Sequence, residues 1–255
     1  MNILIFDTET IGTEKAFCYD IGYVIFNTEE KQVVKKQEFV IEQIWSNKAL
    51  FETAFYREKK PLYISKMRGR KAKLVKWGYA VDRIIKDIEN FEISSAYAYN
   101  SKFDMRVIDF NAEWYKTRNF LDYVKTYDIW GYTSKVITSE LGNEYRQFCE
   151  ENNFFSESGN YTNNADTWGK FLKNSLEWQE EHTALEDSKI ECEILMYCID
   201  KGLKLNTNYK VCKTIPKPNI EPKILKIRKN GVVTEYEYKK KTEYKKKGWL
   251  IDLKD

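Results

Sequence analysis

The amino-acid sequence predicts an α/β protein: one mixed β-sheet flanked by helices, with a small basic β-hairpin appended at its C-terminal end. Three observations carry that prediction. Short apolar runs rich in β-branched and aromatic residues alternate with stretches of helical periodicity. A long helix near residues 183–201 closes the alternation. After Gly202 the texture changes, and a proline-bearing stretch leads into a second strand-turn-strand pattern. With 255 residues, 42% of them hydrophobic and 32% charged, the chain is long enough to bury a sizeable core and too apolar for a disordered tail.

The elements follow in order. Asn2–Phe6 (NILIF) is an apolar run that stops at two acids, as a buried strand does when it delivers side chains at its end. Asp20–Asn27 and Gln32–Ile41 flank the polar turn TEEK and predict a hairpin. Val81, Ile84, Ile85 and Ile88 lie at helical spacing within a pattern that runs from about Lys71 to Phe91. Ser95–Tyr99 and Lys125–Trp130 read as strands, and NSKFDMRVIDFNAEWY between them as a loop entering a helix. Ser139–Asn152 and Asp166–Asn174 read as short helices. Thr183–Lys201 is the clearest helix, with Thr183 and Glu186 spaced as a capping box. Three of the four prolines fall in Lys213–Pro222, and the following hairpin is centred on Asn230-Gly231. The expected organisation is a domain over 1–205 with a basic insertion at about 45–77, a linker over 206–222 and the appendage over 223–255.

Several classes are excluded early. No stretch approaches the ~18 uncharged apolar residues of a spanning helix, so no membrane partner is expected. The first residues meet Asp7 and Glu9 with no basic region ahead of the apolar run, unlike a signal peptide, which makes a cytoplasmic location the expectation. Five scattered cysteines without a CxxC pair argue against a disulfide framework or a zinc knuckle. Charge is uneven: residues 57–76 hold 9 basic groups and 1 acid, and residues 213–255 hold 13 basic groups and 6 acids. Two such patches on an otherwise acidic chain suit a polyanion, or else a solvated helix face and a charged tail.

Three separated segments carry acids suited to metal chemistry. In FDTET, Asp7 and Glu9 lie two apart on a strand and so share a face. Two anions held together need a proton or a cation between them, and Mg²⁺ or Mn²⁺ favours oxygen donors. In NSKFD, Asp104 stands at a strand-to-helix transition. In HTALED, Asp187 lies in the first turns of a helix, where an acid also serves as ordinary dipole stabilisation. His182, the single histidine of the chain, falls just before that helix, where it suits a proton acceptor as well as a structural role.

These three segments, in this order and with His182 five residues ahead of Asp187, resemble the motifs of the DEDDh 3′–5′ exonucleases. That group of ribonuclease-H-like fold includes proofreading subunits, ribonuclease T and oligoribonucleases. The resemblance covers about residues 1–200. It implies two divalent metal ions (Mg²⁺ or Mn²⁺) held by Asp7, Glu9, Asp104 and Asp187, with Asp7 bridging, and His182 as general base. It further implies release of 5′-mononucleotides from a 3′ end, with Thr8 and Thr10 lining the terminal-nucleotide pocket and Asn100 and Phe103 framing the last nucleotides, although Phe103 is equally a core residue. Arg68, Arg70 and Lys71 in the basic insertion are the candidate strand-tracking residues. The expected partner is single-stranded nucleic acid at its 3′ end, DNA slightly ahead of RNA, with a replication protein at the basic tail as a further candidate. The competing expectations are a partner-dependent proofreading subunit and a catalytically silent binding protein on the same fold.

Overall fold

The computed structural model describes residues 1–12 and 16–217, together with the backbone of two further strands, 224–229 and 232–237. Residues 1–215 form one compact unit and the chain from Pro216 a second.

The first unit is built on a six-stranded sheet. β1 (Asn2–Ile11), β2 (Phe17–Asn27) and β3 (Gln32–Ile41) form an antiparallel meander whose second turn is the expected TEEK turn. The chain then passes through two single-turn helices, α1 (Glu42–Trp45) and α2 (Lys48–Phe51), and α3 (Lys60–Arg68). It returns to the sheet as β4 (Lys73–Val75), parallel to β3 at the edge. α4 (Trp77–Asn90) leads to β5 (Ser95–Ala98), and α5 (Ser101–Tyr115) to β6 (Lys125–Asp128); β5 runs parallel to β1, and β6 parallel to β5. The strand order is β4-β3-β2-β1-β5-β6. α6 (Ile129–Ile137), α7 (Asn143–Asn152), α8 (Ala165–Leu172) and α9 (Ala184–Asp200) complete the unit.

Strand alternation sorts β1 between two cores. Ile3 and Ile5 pack with Val24, α6 and α9 on one face, whereas Leu4 and Phe6 pack with α4 and α5 on the other. A third cluster, including Tyr19, Ile44, Phe51 and Tyr63, seats the 42–72 segment on the ends of β2 and β3. Among the described residues no helix is long and apolar enough to cross a membrane.

Four local expectations are corrected. The helix expected from Lys71 begins at Trp77, because residues 73–75 add a strand to the sheet edge instead. The strand expected through Trp130 ends at Asp128, whose side chain accepts the Trp130 N–H and starts α6. The Thr183–Glu186 capping box does not form. Instead the Ala184 N–H donates to Asp20 Oδ2 at 2.9 Å, and Thr183 Oγ1 accepts from Lys66 Nζ at 2.6 Å. Residues 206–215, expected as the start of a linker, pack on the first unit: Asn206 accepts from Tyr97 Oη, and the Ile215 carbonyl accepts the Tyr161 N–H.

In the second unit β7 (Ile224–Lys229) and β8 (Val232–Glu237) pair antiparallel, with Lys229 opposite Val232, as the expected hairpin requires. The Asn230-Gly231 turn and the Lys/Tyr-rich stretch from Tyr238 lie outside the described residues.

Gly22 is where the sheet meets its closing helix. It pairs with Asp7 across β1 and β2, and a Cβ there would stand 2.1 Å from the Leu185 backbone nitrogen. Only a residue without a side chain lets α9 lie this close to β2. Gly22→Ala is therefore expected to destabilise the fold by roughly 3 kcal/mol, the upper range for overpacking, read from urea denaturation.

Candidate active site

The site forms where β1 leaves the sheet between α5 and α9. Asp7 and Glu9 have the same strand parity as Ile3 and Ile5, so both face α9, while Thr8 faces α5. The register between β1 and β2 shifts just past Glu9, which ends the regular ladder at the carboxylate pair. On α9, Asp187 looks back at this strand end. One carboxylate oxygen from each of Asp7, Glu9 and Asp187 lies within 4.8 Å of the others.

Asp104, in the first turn of α5, is held on the other side of β1. Its Oδ1 accepts from the Thr8 N–H at 3.1 Å and from Thr8 Oγ1 at 2.7 Å. Thr8 thus serves the site by fixing Asp104. Asp104 is also the neighbouring charge that raises Asp7 most, so the fourth acid is electrostatically joined to the cluster.

The unit brings these acids together against strong repulsion. Burial first, then the charges of Asp104, Glu191, Asp187 and Glu9, pushes Asp7 well above the usual carboxylate range. Burial and Asp187 do the same to Glu9. Burial lifts Asp104 to about 7 against the lowering bonds from Thr8, and burial with Glu180 lifts Asp187 to about 9. Asp187 Oδ1 is buried without a hydrogen-bond partner among the described residues. Three converging oxygen donors with one such oxygen fit a hard divalent cation.

His182 sits at the lip of this cluster in a left-handed backbone conformation, φ 49°. Its main-chain N–H faces Asp187 and favours the charged form of that carboxylate. Its ring stacks on Tyr56, with centroids 4.4 Å apart and planes 8° from parallel. Nδ1 lies 3.7 Å from Glu180 Oε2. Burial, and then the Lys59 ammonium, holds His182 below its ordinary value, so the ring is neutral at pH 7. Lys59 Nζ itself donates to the Glu181 carbonyl beside it.

The segment between β3 and β4 also braces the loop from behind. Lys66 Nζ bonds Glu38 Oε1 at 2.9 Å as well as Thr183, and Tyr63 Oη donates to Asp20 Oδ2 at 2.8 Å, the atom that also caps Ala184. Of the basic stretch 57–76, Lys59 and Lys66 therefore stand at the site. Arg68, Arg70 and Lys71 lie exposed at the end of α3 and in the turn after it.

An open groove of about 300 Å³ borders the acids, lined by Thr8, Glu9, Thr10, Phe55, Tyr56 and Phe103. Thr10 and Phe103 thus lie where the sequence expects them, although Thr10 Oγ1 is bonded to the Gly12 carbonyl. Asn100 is not on this wall; it heads α5 at φ 58°, its N–H donating to Asp128. Sequence reasoning missed Phe55, Tyr56, Lys59, Glu180 and Glu191. Glu180 is within two residues of the histidine, and Glu191 is one helical turn beyond Asp187, a spacing that places both acids on one face. The others come from the insertion, which matches no motif.

The architecture can be compared with known proteins. No protein-family model matches the sequence, and no curated protein matches it. Solved structures do match. The nuclease domain of 3′hExo, a DEDDh family member bound to rAMP, superposes with a TM-score of 0.53 at 14% identity, over 84% of this chain and 97% of that one. This chain shares the fold of that domain. E. coli exonuclease I in complex with a dT13 oligonucleotide matches with a TM-score of 0.53 at 14% identity, over 79% of this chain and 41% of that chain. A 3′-exonuclease that recognises the 3′ end of the histone mRNA stem-loop matches with a TM-score of 0.51 at 12% identity, over 92% of this chain and 70% of that one. The ribonuclease-H-like sheet expected from the motifs is thus the sheet observed.

Proposed function

We propose that this chain is a metal-dependent 3′–5′ exonuclease that removes 5′-mononucleotides from single-stranded 3′ ends, with His182 as general base. The observation that carries the reading is the convergence of Asp7, Glu9 and Asp187 within 4.8 Å, with Asp104 electrostatically joined to them and a neutral histidine at the lip. The DEDDh exonuclease fold supports it, as do similar proteins seen with a DNA oligonucleotide and with RNA.

Asp7, Glu9, Asp104 and Asp187 would hold two divalent cations of the Mg²⁺ or Mn²⁺ type. Such ions, when bound, activate a water and neutralise charge at the scissile phosphate. The protein's own groups do the rest. Thr8 keeps Asp104 in place through two hydrogen bonds. Glu180 beside Nδ1 leaves Nε2 of His182 as the free base to take the proton from the attacking water. Tyr56, stacked on the ring, prevents it from swinging away. Phe55, with its side chain largely in solvent, and Phe103 give the terminal bases aromatic surfaces beside Glu9. Lys59 is the cation of the insertion best placed to meet a phosphate. The basic appendage would add sequence-independent attraction for the strand.

The test is a digestion of matched 5′-labelled single-stranded DNA and RNA with Mg²⁺ or Mn²⁺, and with EDTA as control. A ladder that shortens from the 3′ end and vanishes in EDTA is the expected result, and the faster sugar names the substrate class. Cleavage that persists in EDTA, or products internal to the strand, would overturn the reading.

A further inference from the structure

A fifth buried acid lies one helical turn from the carboxylate cluster. Glu191 lies on α9 one turn past Asp187, and only 3% of its surface is exposed. Buried carboxylates on a helix normally find a cation or several donors. The Tyr99 backbone N–H is the group that most favours the charged form of Glu191. Among the described residues its Oε2 is buried with no partner and no basic side chain is paired with it. The charges that act on it most are Asp104, then Asp187 and Glu180, and in turn it is the second-largest charge acting on Asp7. One helical turn from Asp187 on α9, it is buried on the same helix that faces the end of β1.

We propose that Glu191 is an additional metal-facing carboxylate of this centre, supplying the orphaned Oε2 to the cation held between Asp7 and Asp104. This rests on the reading of Asp7, Glu9, Asp104 and Asp187 as a metal centre, and adds a residue and a consequence to it. Of the four acids, Asp104 already accepts two bonds from Thr8 at one oxygen, so a second cation would have few protein donors left to it. A substrate phosphate would normally complete such a site. Glu191 adds a further anionic oxygen from the protein, so the second cation binds before any nucleic acid arrives.

The experiment is a titration of the intact, nucleic-acid-free chain with Mn²⁺, following free Mn²⁺ by electron paramagnetic resonance, for the wild type, Glu191→Gln, Glu191→Ala and Asp7→Asn. Two ions per wild-type chain are expected. Both Glu191 variants should keep the tighter ion and bind the weaker one roughly 10- to 100-fold less well, the usual loss when a supporting group of a metal site is removed. Thermal melts in EDTA should show both variants folded and at least as stable as the wild type, since each removes a buried unpaired acid. If the Glu191 variants bind two ions with wild-type affinity while Asp7→Asn loses binding, the role of Glu191 is overturned and the metal centre stands. If wild type and Asp7→Asn are alike in binding no ion, the metal centre itself fails. If the wild type binds a single ion, the claim that Glu191 completes a preformed second site is overturned.

Discussion

Asp7→Ala is expected to abolish 3′-end hydrolysis while raising the melting temperature of the metal-free protein. Asp7 is the acid on which the other four converge, with Asp104, Glu191, Asp187 and Glu9 all raising its proton affinity. Removing it deletes the donor shared by both flanks of the centre and also relieves the repulsion stored there. The two effects separate a functional carboxylate from a structural one, because loss of a structural residue lowers stability along with activity. Activity is read on a labelled oligonucleotide and stability by a melt in EDTA. Retained hydrolysis would exclude Asp7 from the chemistry.

Burial of these acids, more than their mutual repulsion, sets a pH dependence for the metal-free chain. Asp104 is raised to about 7 and Asp187 to about 9, against ordinary values near 4. The folded state thus binds more protons than the unfolded state between pH 4 and pH 9. Stability conferred by these protons is complete below about pH 4 and is lost as pH rises through the folded values. In EDTA the melting temperature is therefore expected to fall between pH 5.5 and pH 8.5, and saturating Mg²⁺ should flatten that slope.

His182→Ala should lower turnover by roughly 10²- to 10⁴-fold, the usual worth of a general base, with metal affinity retained. His182 lies outside the group of three converging carboxylates, and the part of it that touches Asp187 is the main-chain N–H, which alanine keeps. A fall in metal binding as large as the fall in turnover would make His182 a ligand. Single-turnover rates alongside Mn²⁺ titration distinguish the two.

Much of this was legible in the chain because the chemistry follows strand and helix periodicity. Asp7 and Glu9 share a face through the two-residue period of a strand, and the apolar run before them places that strand in the core. The helix bearing Asp187 announced its own length, though not its cap. Thr183 and Glu186 have the right spacing for a box, but burial against β2 offered better partners in Asp20 and Lys66, which are 164 and 117 residues away from those they bond. Local spacing cannot weigh such distant competitors. The same applies to Tyr56 and Lys59, whose place beside His182 follows from how the 42–72 segment folds over β2 and β3. Glu191 had a readable signal in its four-residue step from Asp187, yet an acid on a helix is ordinarily solvated, and only its burial shows otherwise.

The distances along the chain between the converging acids also bear on the order of folding. Asp7 and Asp187 are brought together by the close approach of α9 to Gly22, a contact that joins the two ends of the unit. Long-range closures of this kind are slow, because loop entropy is lost before the contact rewards it. If the acids meet only after the transition state, their strain is expected to speed unfolding and leave the folding rate unchanged. A cation captured there would act as a latch on a door already shut: the opening of the native chain should slow, and its formation should change little.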